Sequence, residues 1–231
     1  MTDRPIIFSA PMVRALLEGR KTQTRRVAKI TAIMGNKVAI TSPDERLIEL
    51  SEGEFRAGIC HYESTGSLSG PYRLPAAVGD RLWVRETLER ANGEAIGYPA
   101  DGSWLPNEPW RWQRSTLPSI HMPRWASRLT LFVTDVRVQR LQDMEGQHPS
   151  ESDAIAEGVN KIHHGDGDYY YSAFRNEPHP KNWCDPTDAF RELWNGLHGP
   201  DAWDANPWVA ALTFTVERRN IDAVDSDGDV R

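Results

Sequence analysis

The stretch RLTLFVTDVRVQ, residues 128–139, carries the strongest strand signal in this chain of 231 residues. Leu129, Leu131 and Val133 occupy every second position, which is typical of a β-strand with one buried face. The apolar residues change parity at Asp135, and such a change predicts a bulge or a bend. We therefore expect one long, bent strand over this stretch.

Two further segments, residues 81–88 and 208–216, show a comparable alternation and are predicted as strands. Short strand-like runs separated by glycine and proline dominate the rest of the chain, and a hairpin is expected over 38–41 and 47–50. This order predicts a mainly β (α+β) fold. We expect a partly open antiparallel barrel of about five to seven strands, because closure removes exposed sheet edges.

Helices are predicted over residues 11–19, 150–157 and 187–197, and the last of these places Phe190, Leu193, Trp194 and Leu197 on one face. Irregular insertions are expected near 27–75, 90–118 and 160–185. Residues 220–231 are predicted to be a mobile acidic tail. The remainder, residues 1–219, is predicted to be a single domain.

Charge is distributed unevenly along the chain, although the net charge is −6. Residues 1–140 contain 17 Arg and 3 Lys against 15 acidic residues, whereas residues 141–231 contain 7 basic and 18 acidic residues. The first part therefore has a net charge of +5 and the second a net charge of −11. A basic first half remains compatible with binding to phosphate groups.

Several classes of protein are disfavoured by the sequence. No apolar run is long enough to span a membrane, and the first residues lack the pattern of a signal peptide. The two cysteines, Cys60 and Cys184, have no metal-binding or disulfide spacing, which favours a cytoplasmic protein. No nucleotide-binding or metalloprotease motif occurs, and the fragments 163–168 and 225–229 are poor metal-binding loops. We therefore expect no metal and no cofactor.

The segment GRKTQTRR, residues 19–26, is the most distinctive candidate site. Lys21 and Thr24 are three residues apart, so they share one side only if the chain turns there. The neighbouring arginines repel a proton on Lys21 and favour its neutral, basic form. The alternative is a basic turn that faces the solvent without any chemical role.

On the basis of this segment, the chain resembles the ASCH family of PUA-like β-barrel proteins, and most closely those encoded by phages and prophages. The resemblance is carried by the GxKTxTxR pattern of residues 19–26 after a short helix, and by a Gly-Asp turn that leads into a strand at 79–86. Further matching stretches are residues 119–128, 133–138, 157–158 and 203–209.

The resemblance implies a role connected with RNA, single-stranded nucleic acid or a modified nucleoside. Some ASCH proteins are amidohydrolases that remove the acetyl group from N(4)-acetylcytidine. Carried over to this sequence, their catalytic residues are Lys21, Thr24 and Glu157, which we expect at a cleft reached by solvent. In this reading Arg25 or backbone amides stabilise the oxyanion.

The alternative is a binding module without catalysis, in which a positive cleft holds phosphate and a tryptophan stacks on an unpaired base. The residues predicted to bind nucleic acid are Arg20, Arg25, Arg26, Arg85, Arg124 and Trp125, with Lys21 adding to the charge of the cleft. Trp83 or a tryptophan of one of the insertions is a further stacking candidate. A ribonuclease is a third possibility, with His121 as its acid or base; the competing interpretation is a histidine of the core.

Overall fold

Strand predominates over helix in the computed structural model, with 37% of residues in strands and 20% in helices. The structure describes residues 2–28, 32–34, 37–41, 47–50, 55–56, 75–91, 93–144, 152–165 and 167–224. The described strands form open sheets. The mainly β prediction is therefore confirmed, and the PUA-like barrel stays a prediction.

The elements are as follows. The strands are β1 (Asp3–Ile7), β2 (Gln23–Val27), β3 (Ala32–Met34), β4 (Lys37–Thr41), β5 (Leu47–Leu50), β6 (Phe55–Arg56), β7 (Arg81–Arg85), β8 (Leu88–Ala91), β9 (Ala95–Tyr98), β10 (Ser103–Pro109), β11 (Thr116–Leu117), β12 (Thr130–Arg140), β13 (Asn160–His163), β14 (Tyr169–Ser172) and β15 (Trp208–Glu217). The helices are α1 (Ala10–Leu17), α2 (Asp153–Ala156), α3 (Pro186–His198) and α4 (Ile221–Val224). Two short 3-10 turns cover Ser119–His121 and Arg124–Ala126.

The chain divides into two compact units. Unit 1 consists of Met1–Lys21, Gly79–Phe132 and Thr215–Arg231, and unit 2 of Thr22–Val78 and Val133–Phe214. Strands β12 and β15 each run from one unit into the other. The single domain expected over residues 1–219 stays a prediction. No helix among the described residues is long and apolar enough to cross a membrane.

In unit 1, β1 pairs in parallel with β7, and β7 pairs antiparallel with the beginning of β12. The predicted strand over 81–88 ends at Arg85, and Leu88 begins a separate strand. The break lies at Glu86, whose backbone N–H donates to the Met122 sulfur at 3.1 Å. Helix α1 confirms the predicted first helix and buries Met12, Val13, Ala15 and Leu16.

A four-stranded antiparallel sheet in unit 1, in the order β10-β9-β8-β11, corrects the prediction of an irregular insertion over 90–118. Its buried side chains form a cluster of their own: Leu88, Ile96, Tyr98, Trp110, Leu117, Met122 and Ala126. Gly97 is required here, because a Cβ at this position would lie 2.7 Å from the Cβ of Ala91. The frequent Gly, Pro and Trp concealed the strand alternation.

In unit 2, β12 neighbours β15, and β15 pairs antiparallel with β2 from Val209↔Val27 to Thr213↔Gln23. The expected hairpin is confirmed by the pairing of β4 with β5. The irregular insertion expected over 160–185 is corrected, because β13 and β14 form a hairpin there. Much of the insertion expected over 27–75 lies outside the described residues.

The predicted helices of unit 2 are present with different limits. Helix α3 begins after Asp185, whose carboxylate accepts from the N–H groups of Thr187 and Asp188. Leu197 was expected on the buried face of this helix, but it is 55% exposed because it lies in the last turn. Helix α2 is a single short turn, and Ser150 before it lies outside the described residues.

The beginning of the predicted mobile tail is ordered in unit 1. Ile221 in α4 is fully buried, and the Asn220 side chain donates to the backbone carbonyls of Arg124, Trp125 and Ser127. These contacts anchor the segment that composition alone predicted to be mobile. Residues 225–231 of the predicted tail lie outside the described residues.

Unit 1 also contains a buried carboxylate, Glu86, that is held by Arg128. The Arg128 Nε and Nη2 atoms donate to the two Glu86 oxygens at 2.8 and 3.0 Å, and Nη1 donates to Asp101. Burial raises the pKa of Glu86, while the hydrogen bonds from Arg128 act in the opposite direction. Burial likewise raises the pKa of Tyr98, over whose ring Arg128 lies, to about 12.

We predict that Arg128→Met lowers the free energy of unfolding by about 3–5 kcal/mol, because Glu86 is left as a buried charge without its partner. Adding Glu86→Gln should restore part of this loss. Urea unfolding measures all three proteins. Arg111→Met is the control, since the Arg111–Glu108 pair is exposed and such pairs contribute about 0–1 kcal/mol. Equal losses of unfolding free energy in Arg128→Met and Arg111→Met would contradict a stabilising role for the buried pair of Glu86 and Arg128.

Candidate functional site

The basic segment at residues 19–26 crosses from unit 1 into unit 2 after Lys21. In unit 1 the backbone N–H groups of Arg20 and Lys21 both donate to the Ala15 carbonyl, which ends helix α1. Gly19 adopts a φ of +74°, as the predicted helix stop requires. The Arg20 guanidinium forms an ion pair with Glu18, with 2.5 Å between Nη2 and Oε2.

The three residues predicted to be catalytic are buried, which corrects the expectation that solvent reaches them. Lys21 is 1% exposed in unit 1, and its Nζ lies 5.5 Å from the centre of the Phe8 ring. Thr24 is 2% exposed in unit 2, where it pairs with Leu212 across the sheet. Glu157, also in unit 2, is 3% exposed. Each is enclosed because its backbone belongs to a helix end or strand that packs against the core of its unit.

Glu157 contacts the motif strand β2 within unit 2. The Arg25 Nη1 atom donates to Glu157 Oε1 at 3.1 Å and to Gln23 Oε1 at 3.1 Å. The Arg25 Nη2 atom donates to Asp153, which also accepts from Arg137 at 3.3 Å. We call Arg25, Arg137, Asp153 and Glu157 the buried ion cluster. This cluster holds Glu157, the acid predicted from the sequence, beside strand β2, which carries the motif.

Both carboxylates of the buried ion cluster come from helix α2 and the residue that directly follows it. The Ser152 hydroxyl accepts from the Ala154 N–H and fixes the first turn. At the other end, the Thr22 N–H donates to the Ala156 carbonyl at 2.8 Å. The backbone of α2 is therefore tied to the chain immediately before β2, and Asp153 and Glu157, four residues apart, face Arg25 together.

Arg25 and Arg26 occupy different environments because successive side chains of a strand point to opposite faces. The Arg25 side chain is fully buried, with its guanidinium held by two carboxylates. Arg26 is half-buried; burial lowers the pKa of its guanidinium, and the charge of Glu157 acts in the opposite direction. The prediction that both arginines bind nucleic acid stays a prediction, but the Arg25 guanidinium is directed at protein carboxylates.

The remaining residues predicted to bind nucleic acid lie in unit 1. Arg124 donates to Asp3 and Asp222, and these hydrogen bonds raise the pKa of its guanidinium. Arg85 donates to the Ile120 carbonyl and lies 5.3 Å from the ring of Trp83, which is itself buried. Both arginines therefore have protein partners already, whereas Trp125 is 40% exposed.

Trp125 is part of a group of aromatic rings at the surface of unit 1. Its ring is nearly parallel to that of Trp112, with centroids 6.4 Å apart and 9° between the planes. The Arg111 guanidinium carbon lies 5.2 Å from the Trp125 ring centre. We call Trp112, Trp125 and Arg111 the tryptophan platform.

The tryptophan platform is supported from the core of unit 1. Buried Trp110 packs edge-on against Trp112 with centroids 4.9 Å apart, and its indole N–H donates to the Arg114 carbonyl at 2.9 Å. Sequence analysis found Trp125 but did not single out Trp112 or Arg111. The run Trp110-Arg-Trp112 was the available signal, since in it a buried tryptophan is followed by an exposed arginine and a partly buried tryptophan.

The ribonuclease hypothesis rested on His121, which lies at the end of a 3-10 turn and is exposed. Its interpretation as a core histidine is therefore wrong, because the turn holds the ring outside the packed interior. Among the described residues, no group of three or more His, Cys, Asp or Glu side chains is arranged to hold a metal ion.

Comparison with known proteins identified no similar family model, curated protein or solved structure. The resemblance to ASCH proteins is therefore carried by the sequence motifs alone and stays a prediction. The contacts described above are the basis for a functional proposal.

We predict that Arg25→Met destabilises the protein by about 3–5 kcal/mol, because Asp153 and Glu157 lose their buried counter-charge. Thermal and urea unfolding measure this loss. Arg191→Met is a matched control in unit 2, since its ion pair with Asp188 is exposed on helix α3. A change within about 0.5 kcal/mol for Arg25→Met, as expected of a surface residue, would contradict a structural role for Arg25.

Proposed function

We propose that this protein is a nucleic-acid-related protein of the ASCH type, with a PUA-like fold, that acts in the cytoplasm and binds unpaired bases of RNA or single-stranded DNA. One observation carries the proposal: Trp125 is 40% exposed and lies parallel to Trp112, with an arginine beside it. A large aromatic ring held at the surface in a fixed orientation offers a stacking face for a base.

The physical chemistry of the tryptophan platform favours a base over an aliphatic ligand. Every nucleobase has a π-face, and stacking on an indole is favourable for each of them. Arg111 adds a planar cation that can stack or bind a phosphate oxygen. Because the buried Trp110 ring packs edge-on against Trp112, the Trp112 indole loses little conformational entropy when a base binds.

Positive charge is available around the tryptophan platform. Exposed Arg90 donates from Nη2 to the Trp112 carbonyl at 3.4 Å, and Arg114, also exposed, follows the platform in sequence. Glu108 offsets part of the charge through its ion pair with Arg111. A local excess of arginine attracts the phosphates of a single strand even though the whole chain has a net charge of −6.

We predict that Trp125→Ala weakens binding of a fluorescein-labelled single-stranded RNA by roughly five- to a hundredfold, the contribution of one stacked base. Fluorescence anisotropy measures the affinity at low salt, and binding of the wild-type protein should weaken as salt rises. Because Trp125 is partly exposed, the variant should keep its circular dichroism spectrum and most of its thermal stability.

Trp104→Ala is the control, since Trp104 is 56% exposed in the same unit but lies outside the tryptophan platform. It should bind the RNA like the wild-type protein. Equal losses in the two variants, or no binding of RNA or single-stranded DNA by the wild-type protein at low salt, would refute the proposal.

A second candidate function is hydrolysis of an N-acylated cytidine. The observation that favours it is the contact between Arg25 and Glu157, which places the acid implied by the resemblance beside the motif strand within unit 2. Glu157 is separated from Arg25 by 132 residues in sequence, so nothing local brings them together.

The resemblance assigns each step of this reaction to a residue of the chain. The Thr24 hydroxyl or a water molecule attacks the acetyl carbonyl, and Lys21 accepts the proton. The C–N bond then breaks, Glu157 transfers the proton taken up by Lys21 to the leaving amine, and acetate is released, after hydrolysis of the acyl group if Thr24 was the nucleophile. Since the Arg25 guanidinium donates to Asp153 and Glu157, backbone amides are the more available donors to the oxyanion.

For this second function we predict that Lys21→Arg, Thr24→Val and Glu157→Gln each reduce acetate release from N(4)-acetylcytidine by about a hundredfold to ten-thousandfold. A guanidinium cannot give up its proton near neutral pH, so arginine cannot replace Lys21 as a base. The Glu157→Gln protein should stay folded, because an amide oxygen can still accept from Arg25.

Absence of turnover by the wild-type protein would exclude the hydrolase and leave the binding proposal intact. Full activity in Lys21→Arg would instead exclude Lys21 as the base. Thermal unfolding of each variant separates a loss of chemistry from a loss of folded protein.

A further inference from the structure

The segment around helix α4 contacts the turn that carries Trp125 within unit 1. The Asn220 side chain donates to the carbonyls of Arg124 and Trp125 at 2.9 and 3.2 Å, and the next residue, Ile221, is fully buried. The Asp222 N–H donates in turn to the Asn220 side-chain oxygen at 2.9 Å. These contacts hold Asp222 beside the turn.

The Asp222 carboxylate binds the guanidinium of Arg124. Arg124 donates from Nε and Nη2 to Asp222 Oδ1 at 2.9 and 2.6 Å, and from Nε to Oδ2 at 3.2 Å. A guanidinium recognises the oxygens of a carboxylate and those of a phosphate with the same planar fork of donors. Asp222 therefore occupies the donors that a phosphate of RNA would use.

The ion pair between Asp222 and Arg124 is open to solvent. The side chain of Asp222 is 58% exposed and that of Arg124 is 37% exposed. Water and salt screen pairs of this kind, so an incoming anion can displace the carboxylate at little cost. Because Ile221 stays buried, the displaced carboxylate remains close to the guanidinium and at a high effective concentration.

Arg124 has a second carboxylate partner, Asp3, which it shares with Arg81. Asp3 Oδ2 accepts from Arg124 Nη2 at 2.6 Å, and Asp3 also accepts from Arg81 Nε and Nη2 at 2.8 and 3.0 Å. The groups joined by all these contacts are two arginines and two aspartates. With Asp222 displaced, the excess positive charge falls on Arg124, because the side chain of Arg81 is only 9% exposed.

We infer that Asp222 is a tethered competitor of RNA, which occupies Arg124 and lowers the affinity for a strand whose base stacks on Trp125. This inference rests on the proposed function of the tryptophan platform and adds a regulation of that same site. Arg124 directly precedes Trp125, so a strand stacked on Trp125 brings its flanking phosphates within reach of the neighbouring guanidinium.

The test compares Asp222→Asn with the wild-type protein in the anisotropy titration with fluorescein-labelled single-stranded RNA. We expect roughly three- to tenfold tighter binding by Asp222→Asn at low salt, because one more arginine can contact a phosphate. The slope of the logarithm of the affinity against the logarithm of the salt concentration should also steepen by about 0.7, the value for one phosphate contact to a single strand. Loss of a merely structural contact would leave this slope unchanged.

Glu217→Gln is the matched control, because Glu217 forms an exposed ion pair with Arg219 in the same unit. It removes one negative charge and should bind the RNA like the wild-type protein. Adding Arg124→Gln to Asp222→Asn should abolish the gain. Unchanged affinity and salt slope in Asp222→Asn would overturn the inference, as would a gain that persists in the double variant or appears equally in Glu217→Gln.

A measurement without RNA separates this inference from the proposed function. The Arg124 Nε–H resonance, identified by its absence in Arg124→Gln, is followed by NMR while inorganic phosphate is added. It should move at lower phosphate concentrations in Asp222→Asn than in the wild-type protein, and an equal response in both would overturn the inference. Trp125→Ala should leave this response unchanged, so the competition by Asp222 and the stacking on Trp125 fail separately.

Discussion

The buried guanidinium of Arg25 is the constraint on which the arrangement of unit 2 around the motif depends. A charge with no exposure to solvent is tolerated only when counter-charges and hydrogen bonds surround it, and Asp153, Glu157 and Gln23 supply them. Meeting this requirement fixes α2 beside β2, because Asp153 begins that short helix and Glu157 directly follows it. The position of Glu157 is thus a consequence of charge compensation.

As a result, the two adjacent arginines of β2 lie in different environments. The Arg25 side chain is fully buried between two carboxylates, while the Arg26 side chain on the other face of the strand is half-buried. A basic run in a sequence invites the interpretation that all its members bind phosphate. In a strand, however, alternate side chains face opposite environments, so adjacent residues of the same type take different roles.

Sequence analysis predicted what depends on local pattern and missed what depends on distant partners. The alternation in residues 128–139 and 208–216 located β12 and β15, and Gly19 marked the end of α1. The sheet around Gly97 was missed because its strands are short and interrupted by glycine and proline. The contact of Glu157 with Arg25 spans 132 residues, and no spacing rule reveals whether a charged side chain will be buried.

We propose that unpaired bases bind at the tryptophan platform of unit 1. Photocrosslinking of the protein to a single-stranded RNA that contains 5-bromouridine, followed by mass spectrometry of the peptides, tests it most directly. The account predicts that the crosslinked uridine is attached to Trp125 or Trp112. Crosslinks found only on peptides that lack both residues would contradict it.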